Sequence, residues 1–222
     1  MASDVGRPAL SEAPRRIVVA TRSEHKLREL RELLHLERSD LVDLDDLGVL
    51  EEAPEEGSTF EANARSKARY YARRTGLPTL ADDSGLEVDA LGGAPGVRTR
   101  RFAGERATDE QNNEKLLSVL DGLPPERRGA RYVCVLSMVL PGRAGPRGGL
   151  TIAAEARGTC RGRIGTEPRG SGGFGYDPIF EPASEPPGGR TLGLYSANEK
   201  HAISHRARAA RAMAPKLVRL GF

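Results

Sequence analysis

The sequence predicts an α/β fold: a mixed central sheet with flanking helices and an antiparallel hairpin lobe. Three observations predict it. An unbroken apolar run, Ile17-Val18-Val19-Ala20, feeds a stretch in which Leu27, Leu30, Leu33 and Leu34 recur at helical spacing. A second helical pattern, 59 to about 74, is followed by Gly76, Pro78 and another apolar run, Thr79-Leu80-Ala81. Residues 132–140 and 150–160 then read as two long strands joined by a Gly/Pro/Arg loop. Helical crossovers call for parallel strands and the hairpin for antiparallel ones, hence a mixed sheet.

The elements follow in order. Residues 1–15 mix Pro, Gly, Ser and charge and are expected to form a flexible leader, leaving 16–222 as a single domain with two lobes around a cleft. Strand 17–20 runs into Thr21-Arg22-Ser23-Glu24-His25-Lys26, with Ser23 as the helix N-cap. A second strand is expected at 41–44, and an acidic loop from 51 to 57 leads to the long helix, whose Phe60, Ala64, Ala68, Tyr71 and Ala72 share a face. The strand at 79–81 should end in a turn at Asp82-Asp83-Ser84-Gly85, with a further half-buried strand at 86–91. Thr108 is placed to cap a helix carrying Leu116, Leu117 and Leu120. After the hairpin comes a glycine-rich segment, 170–177, and then an Ala/Arg-rich helix from about 204 to 218, bent or broken by Pro215.

Composition excludes several classes. No run approaches the roughly 18 apolar residues of a membrane span. The N-terminal stretch lacks the apolar segment of a secretory signal, and the two cysteines, Cys134 and Cys160, show no metal-site spacing. A cytoplasmic protein is the expectation. Arginine outnumbers lysine 29 to 5, yet 34 basic residues against 31 acidic leave only +3. The basic residues are dispersed, a pattern that suits a few phosphates better than a duplex.

Four segments carry candidate chemistry. The turn at 21–26 opens a helix, whose first N–H groups seat phosphate, and Lys26 adds a charge; without glycines it is neither a P-loop nor a dinucleotide fingerprint. Asp82 and Asp83 lie at a strand end, where α/β sheets place ligand contacts. In an extended chain they point to opposite faces, so both reach one site only if the backbone turns there. Paired carboxylates suit Mg²⁺ or a general base, whereas an Asx-turn is the competing reading. Glu51, Glu52, Glu55 and Glu56 offer another ligand or a solvated loop. Gly172-Gly173-Phe174-Gly175-Tyr176-Asp177 combines close backbone approach with rings to stack on a base, or is a glycine turn with two core aromatics. Lys200, His205 and Arg206 gather donors near the last helix.

In this order, the segments resemble the inosine triphosphate pyrophosphatase family. The resemblance runs from about Ile17 to the C-terminus and rests on ADDSGLEVDALGGAPG at 81–96, GGFGYDPIF at 172–180 and EKHAISHR at 199–206. It implies that family's fold and the hydrolysis of ITP, XTP and their deoxy forms to monophosphate and pyrophosphate. It implies that Thr21, Arg22, Ser23, Glu24, His25 and Lys26 form the phosphate-binding turn, with Ser23 standing where the family usually has Asn. Glu55, Asp83 and Asp82 become the Mg²⁺ ligands, with Asp83 also the catalytic base, and Ala62 departs from the family's more usual FxENA. Ser84, Phe174, Gly175, Tyr176, Asp177, Lys200, His205 and Arg206 become substrate contacts. Arg101 falls on the Arg that follows the GGAPG bend. A homodimer is also implied, with no membrane and no stable nucleic-acid partner.

Donors from Lys200, His205 or Arg206 aimed at the base's position 6 would be satisfied by a keto oxygen and stranded by adenine's amino group. Two rival readings stand beside this one. A Maf-like pyrophosphatase acting on other modified nucleotides is separated by a substrate panel. A non-catalytic nucleotide or nucleic-acid binder is separated by steeply salt-dependent, Mg²⁺-indifferent binding.

Overall fold

A computed structural model describes residues 14–54, 56–142 and 149–222. Of the leader expected at 1–15, residues 1–13 lie outside the described residues, and Arg15 already belongs to the first strand. Six strands form one sheet: β1 (Arg15–Ala20), β2 (Ser39–Val42), β3 (Thr79–Val88), β4 (Gly129–Pro141), β5 (Leu150–Ile164) and β6 (Phe180–Pro182), in the order β2-β1-β3-β4-β5-β6. β1 is parallel to β2 and β3; the remaining neighbours are antiparallel. The helices are α1 (Glu24–Leu33), α2 (Phe60–Thr75), α3 (Asp109–Val119), α4 (Ala197–Ile203) and α5 (His205–Arg219).

Alternation along the strands sorts the core into two faces. Ile17, Val19, Leu80, Leu136 and Met138 pack with Leu30 of α1, with Leu34 at its C-cap and with Ala209, Ala210, Met213 and Leu217 of α5. Val18, Ala20 and Ala81 face the other way, against Ala68, Tyr71 and Ala72 of α2. Farther along β3, Leu86 and Val88 meet Leu116 of α3 and Leu120 at its C-cap. Ser23 and Thr108 cap their helices as read from the sequence, Ser23 accepting from Lys26 N–H and Thr108 forming a capping box with Gln111; Thr59, which accepts from Ala62 N–H, is a further cap.

The departures are concentrated where turn chemistry was weighed against sheet pairing. β3 does not turn at Ser84-Gly85. It continues for ten residues because β4 pairs with it over its whole length, Thr79 with Val139 through Val88 with Ala130. The strand expected at 86–91 is thus the end of β3 followed by a 3₁₀ turn, Asp89–Leu91. β2 lies two residues before its expected place. The C-terminal helix is preceded by the separate helix α4, and Pro215 neither ends nor breaks α5, which runs on to Arg219. Pro215 and Arg211, the residue whose carbonyl it leaves without an intrahelical donor, are both exposed.

Candidate active site

β1 pairs with β3 only as far as Ala20 and Ala81, so β3 runs on past the end of its parallel neighbour. The turn at 21–26 emerges at that point, in the crevice beyond a strand's carboxyl end where open α/β sheets bind ligands. Since β3 stays extended, Asp82 and Ser84 project toward α1 and α5, whereas Asp83 projects toward α2.

On the α1/α5 face six charged side chains form one alternating chain. Lys26 Nζ donates to Asp82 Oδ1 at 2.5 Å. Arg206 Nε donates to Asp82 Oδ2 at 3.0 Å, its Nη1 donates to Glu29 Oε2, and its Nη2 donates to Ser84 Oγ at 2.9 Å. Lys200 Nζ donates to Glu29 Oε1 at 2.9 Å and to Asp177 Oδ2 at 2.8 Å. The order is Lys26, Asp82, Arg206, Glu29, Lys200, Asp177: three cations and three anions in alternation, all buried except the partly exposed Lys26.

Burial alone raises the pKa of a buried carboxyl, but Arg206 and Lys200 outweigh it at Glu29 and hold it down to about 2. Arg206 and Lys26 do the same at Asp82, which sits well below the carboxylate range against its own burial. Asp177, fully enclosed, is raised by burial, which outweighs the Lys200 ammonium beside it. His205 is driven well below its usual value by burial and by the adjacent Arg206, so its imidazole is neutral.

Phe174 borders this chain. His25 stacks on its ring at 5.2 Å between centroids, and Lys200 Nζ lies 4.6 Å from the ring centre. The loop that carries the ring is fixed through its backbone. Phe174 N–H donates to Asp177 Oδ2 at 2.9 Å, Gly175 N–H donates to Asp109 Oδ2 at 2.6 Å, and Asn113 Nδ2 donates to Gly175 O at 3.1 Å. Gly173 is obligatory there: its φ is +76°, and a Cβ would lie 2.0 Å from Asp177 Oδ2.

On the α2 face Asp83 lies nearly buried, with Lys67 Nζ of α2 3.7 Å from Oδ1. The same Lys67 donates to the Asp82 carbonyl at 3.4 Å.

A family model for the Ham1 family matches residues 17–216. The chain belongs to the Ham1 family. A protein named dITP/XTP pyrophosphatase from Syntrophobacter fumaroxidans is 50% identical over 193 residues, covering 87% of this chain and 78% of the relative. Another of that name, from Anaeromyxobacter sp. strain Fw109-5, is 45% identical over 232 residues, covering 92% and 97%. The solved structure of a HAM1 protein from Coxiella burnetii superposes with a TM-score of 0.77 at 39% identity, over 92% of this chain and 99% of that one. The Ham1 fold is thus the mixed sheet with flanking helices that the sequence predicted.

Within this Ham1 fold the structure brings Lys26, Asp82, Ser84, Phe174, Asp177, Lys200, Arg206 and His25 together. Other expectations need correction. Asp82 and Asp83 do not share a face, and both Asp82 oxygens are committed to donors: Lys26 and Ser84 on one, Arg206 and the Cys134 thiol on the other. Asp82 therefore belongs to the charge chain rather than to a metal pair. Arg22 turns away toward Asp45, Val49 O and Glu51 O. The Ser23 hydroxyl caps α1. Tyr176 is a core residue whose hydroxyl donates to Thr99 O at 2.8 Å, and His205 is buried flat against Tyr132 at 4.6 Å. Thr21 Oγ1 accepts from Ser23 N–H at 3.1 Å, shaping the turn, and Glu24 is exposed on the first turn of α1. Glu55 lies outside the described residues.

Sequence reasoning missed Glu29, Lys67, Cys134, Asp109 and Asn113. Glu29 had a signal: it sits three residues after Lys26 and beside Leu30, a carboxylate on the inward stripe of an amphipathic helix. The other four had none, because long-range packing alone brings them in.

Proposed function

We propose that this chain hydrolyses non-standard purine nucleoside triphosphates, ITP and XTP with their deoxy forms, to monophosphate and pyrophosphate, clearing them from the nucleotide pool. One observation carries the reading. A phosphate-side turn ending in Lys26, a strand-borne Asp83 and a ring, Phe174, bordered by Lys200 surround the open edge of β3. Relatives 45–50% identical that bear the dITP/XTP pyrophosphatase name support it.

In this reading the triphosphate lies along the β3 edge with its base toward Phe174. The free N–H groups of the first turn of α1 and the Lys26 ammonium grip the phosphates, and in-line placement supplies much of the acceleration. Lys26 is the most open of the three linked cations, with 18% of its side chain exposed, so it meets incoming charge first. Asp83 orients a water and takes its proton as oxygen attacks the α-phosphorus and the bond to the α–β bridging oxygen breaks. Lys67 keeps the Asp83 carboxylate in place.

Among the described residues no three His, Cys, Asp or Glu side chains form an ion site by themselves. The Asp83 carboxylate suits Mg²⁺, which is commonly held by one or two carboxylates with substrate phosphates completing its shell. Asp83 is the described candidate, and the resemblance adds Glu55. When bound, Mg²⁺ neutralises the charge that builds on the departing pyrophosphate.

Base selection falls to fewer donors than expected. His205 is enclosed, and Arg206 has three of its five N–H groups committed. Lys200 retains one proton beyond Glu29 and Asp177, beside the Phe174 ring. A keto oxygen at position 6 accepts it; an amino group leaves it stranded. A cytoplasmic homodimer completes the proposal, supported by the family resemblance. Among the described residues no helix is long and apolar enough to cross a membrane.

The test is pyrophosphate release from ITP, XTP and GTP, with and without Mg²⁺, for the wild type and Asp83→Asn. Turnover of ITP and XTP should exceed that of GTP, require the ion, and fall by about 10²–10⁴-fold in the variant. Undiminished turnover by Asp83→Asn would refute the assignment.

A further inference from the structure

Between β2 and α2, from Asp43 to Thr59, the described residues form no helix or strand. A connection of this length in a small domain is ordinarily functional or disordered, and an ordered one needs fastening by side chains. On the α2 side the fastenings are clear. The Tyr71 hydroxyl donates to Glu51 O at 3.2 Å and accepts from Ala53 N–H at 3.1 Å, Arg74 pairs with Glu51 at 2.5 Å, and Asn63 Oδ1 accepts from Gly57 N–H at 2.8 Å. Leu44 and Val49 are buried against the same helix. On the side of the phosphate turn, the fastening among the described residues is Arg22. Its Nη1 donates to Asp45 Oδ1, and its Nη2 donates to Val49 O and, at 3.4 Å, to Glu51 O.

We propose that Arg22 is a positioning residue that ties segment 45–51 to the turn at 21–26, so that the two move as one body. This rests on the reading of that turn given above. The guanidinium is well shaped for such a tie, since a planar fork reaches a carboxylate with one nitrogen and two carbonyls with the other, which an ammonium does not match. Asp45 contributes little, because its side chain is 79% exposed and an open ion pair is weak. The two carbonyls carry the fastening, because Val49 is buried and its oxygen points at Arg22. A cation beside a phosphate turn would otherwise be taken for a phosphate ligand, but here three of its five N–H groups are turned to segment 45–51.

The experiment pairs hydrogen exchange with kinetics on full-length Arg22→Ala, Arg22→Lys and Asp45→Ala. In Arg22→Ala, amides in 44–53 should exchange about tenfold faster or more, with α1 and α5 unchanged. For ITP, kcat should fall roughly tenfold with KM held within about twofold, since small misplacements near reacting groups act on the transition state. Arg22→Lys should fall between, and Asp45→Ala should stay within about twofold of wild type. Unchanged exchange overturns the proposal, as does faster exchange with unaltered kcat. A raised KM at constant kcat also overturns it and makes Arg22 a phosphate ligand. The exchange arm needs no substrate, so its failure is separate from a failure to hydrolyse ITP.

Discussion

Removing the charge of Glu29 tests the alternating chain at its centre. In Glu29→Gln the side chain keeps its size and loses the negative charge that sits between Arg206 and Lys200. The wild-type carboxyl is held at about 2 against 4.5 for the free side chain, and its side chain is only 10% exposed, so solvent screening is slight. A displacement of that size corresponds to about 3 kcal/mol of folding stability at neutral pH, in the range found when one partner of a buried pair is removed. The sign is that of a depressed acid. The contribution is complete above the unfolded pKa near 4.5 and is lost as pH falls toward 2, with roughly 40% gone by pH 3.5. Urea unfolding of both proteins between pH 7 and 3.5 reads this directly: a gap of about 3 kcal/mol at pH 7 should narrow to about 2 at pH 3.5. A gap below about 1 kcal/mol at pH 7, or one that does not narrow with acid, would refute the coupling of Glu29 to the two cations.

Two further outcomes follow from the same face of the sheet. His205, neutral in the fold because burial and Arg206 depress its pKa, stays unprotonated while the unfolded chain takes up a proton below about 6.5. Wild-type stability should therefore decline from pH 6.5 to 5 by up to about 1.4 kcal/mol per unit relative to His205→Phe, and parallel curves in thermal or urea unfolding would count against it. Gly158→Ala should destabilise by about 1–3 kcal/mol and lower ITP turnover, because the added Cβ would lie 2.2 Å from His205 O and 2.4 Å from Ala209 N. Both contacts are backbone of the first turns of α5, which carry Arg206; an alanine variant with wild-type stability and rate would show that α5 has room to move.

Much of this architecture was legible because periodicity and caps are local. The Leu27-Leu30-Leu34 stripe, the α2 face from Phe60 to Ala72 and the Thr108 cap each follow from thirteen residues or fewer. The failures lie where partners distant in sequence decide. Asp82-Asp83-Ser84-Gly85 reads locally as a turn, yet β4 supplies a continuous ladder that outweighs that tendency, and Gly85 is there because Gly96 O would lie 2.5 Å from any Cβ. Helix α4 did carry its signal, the Ser196–Glu199 capping box, but seven residues are too few for a periodic stripe. At the site the sequence named the cations and two of their counterions, Asp82 and Asp177, and left out the third. Lys200 and Arg206 stand out in a motif near the C-terminus, whereas Glu29, which joins them, lies more than 170 positions earlier.

That counterion explains how the site can be both buried and cationic. Three positive groups enclosed together would each cost several kcal/mol if unpaired. Interleaving them with Asp82, Glu29 and Asp177 brings the chain to neutrality and orients every member by charge-assisted bonds. It also fixes where charge stays available, since Lys26 at one end is partly open while Arg206 at the centre is closed. The persistence of β3 as a strand completes the arrangement. A turn at Ser84 would have brought Asp83 toward this face, placing a carboxylate beside Asp82 and in competition for Lys26 and Arg206. Extended backbone keeps Asp83 on the α2 side with Lys67, so its carboxylate is insulated from the carboxylates that hold the cations.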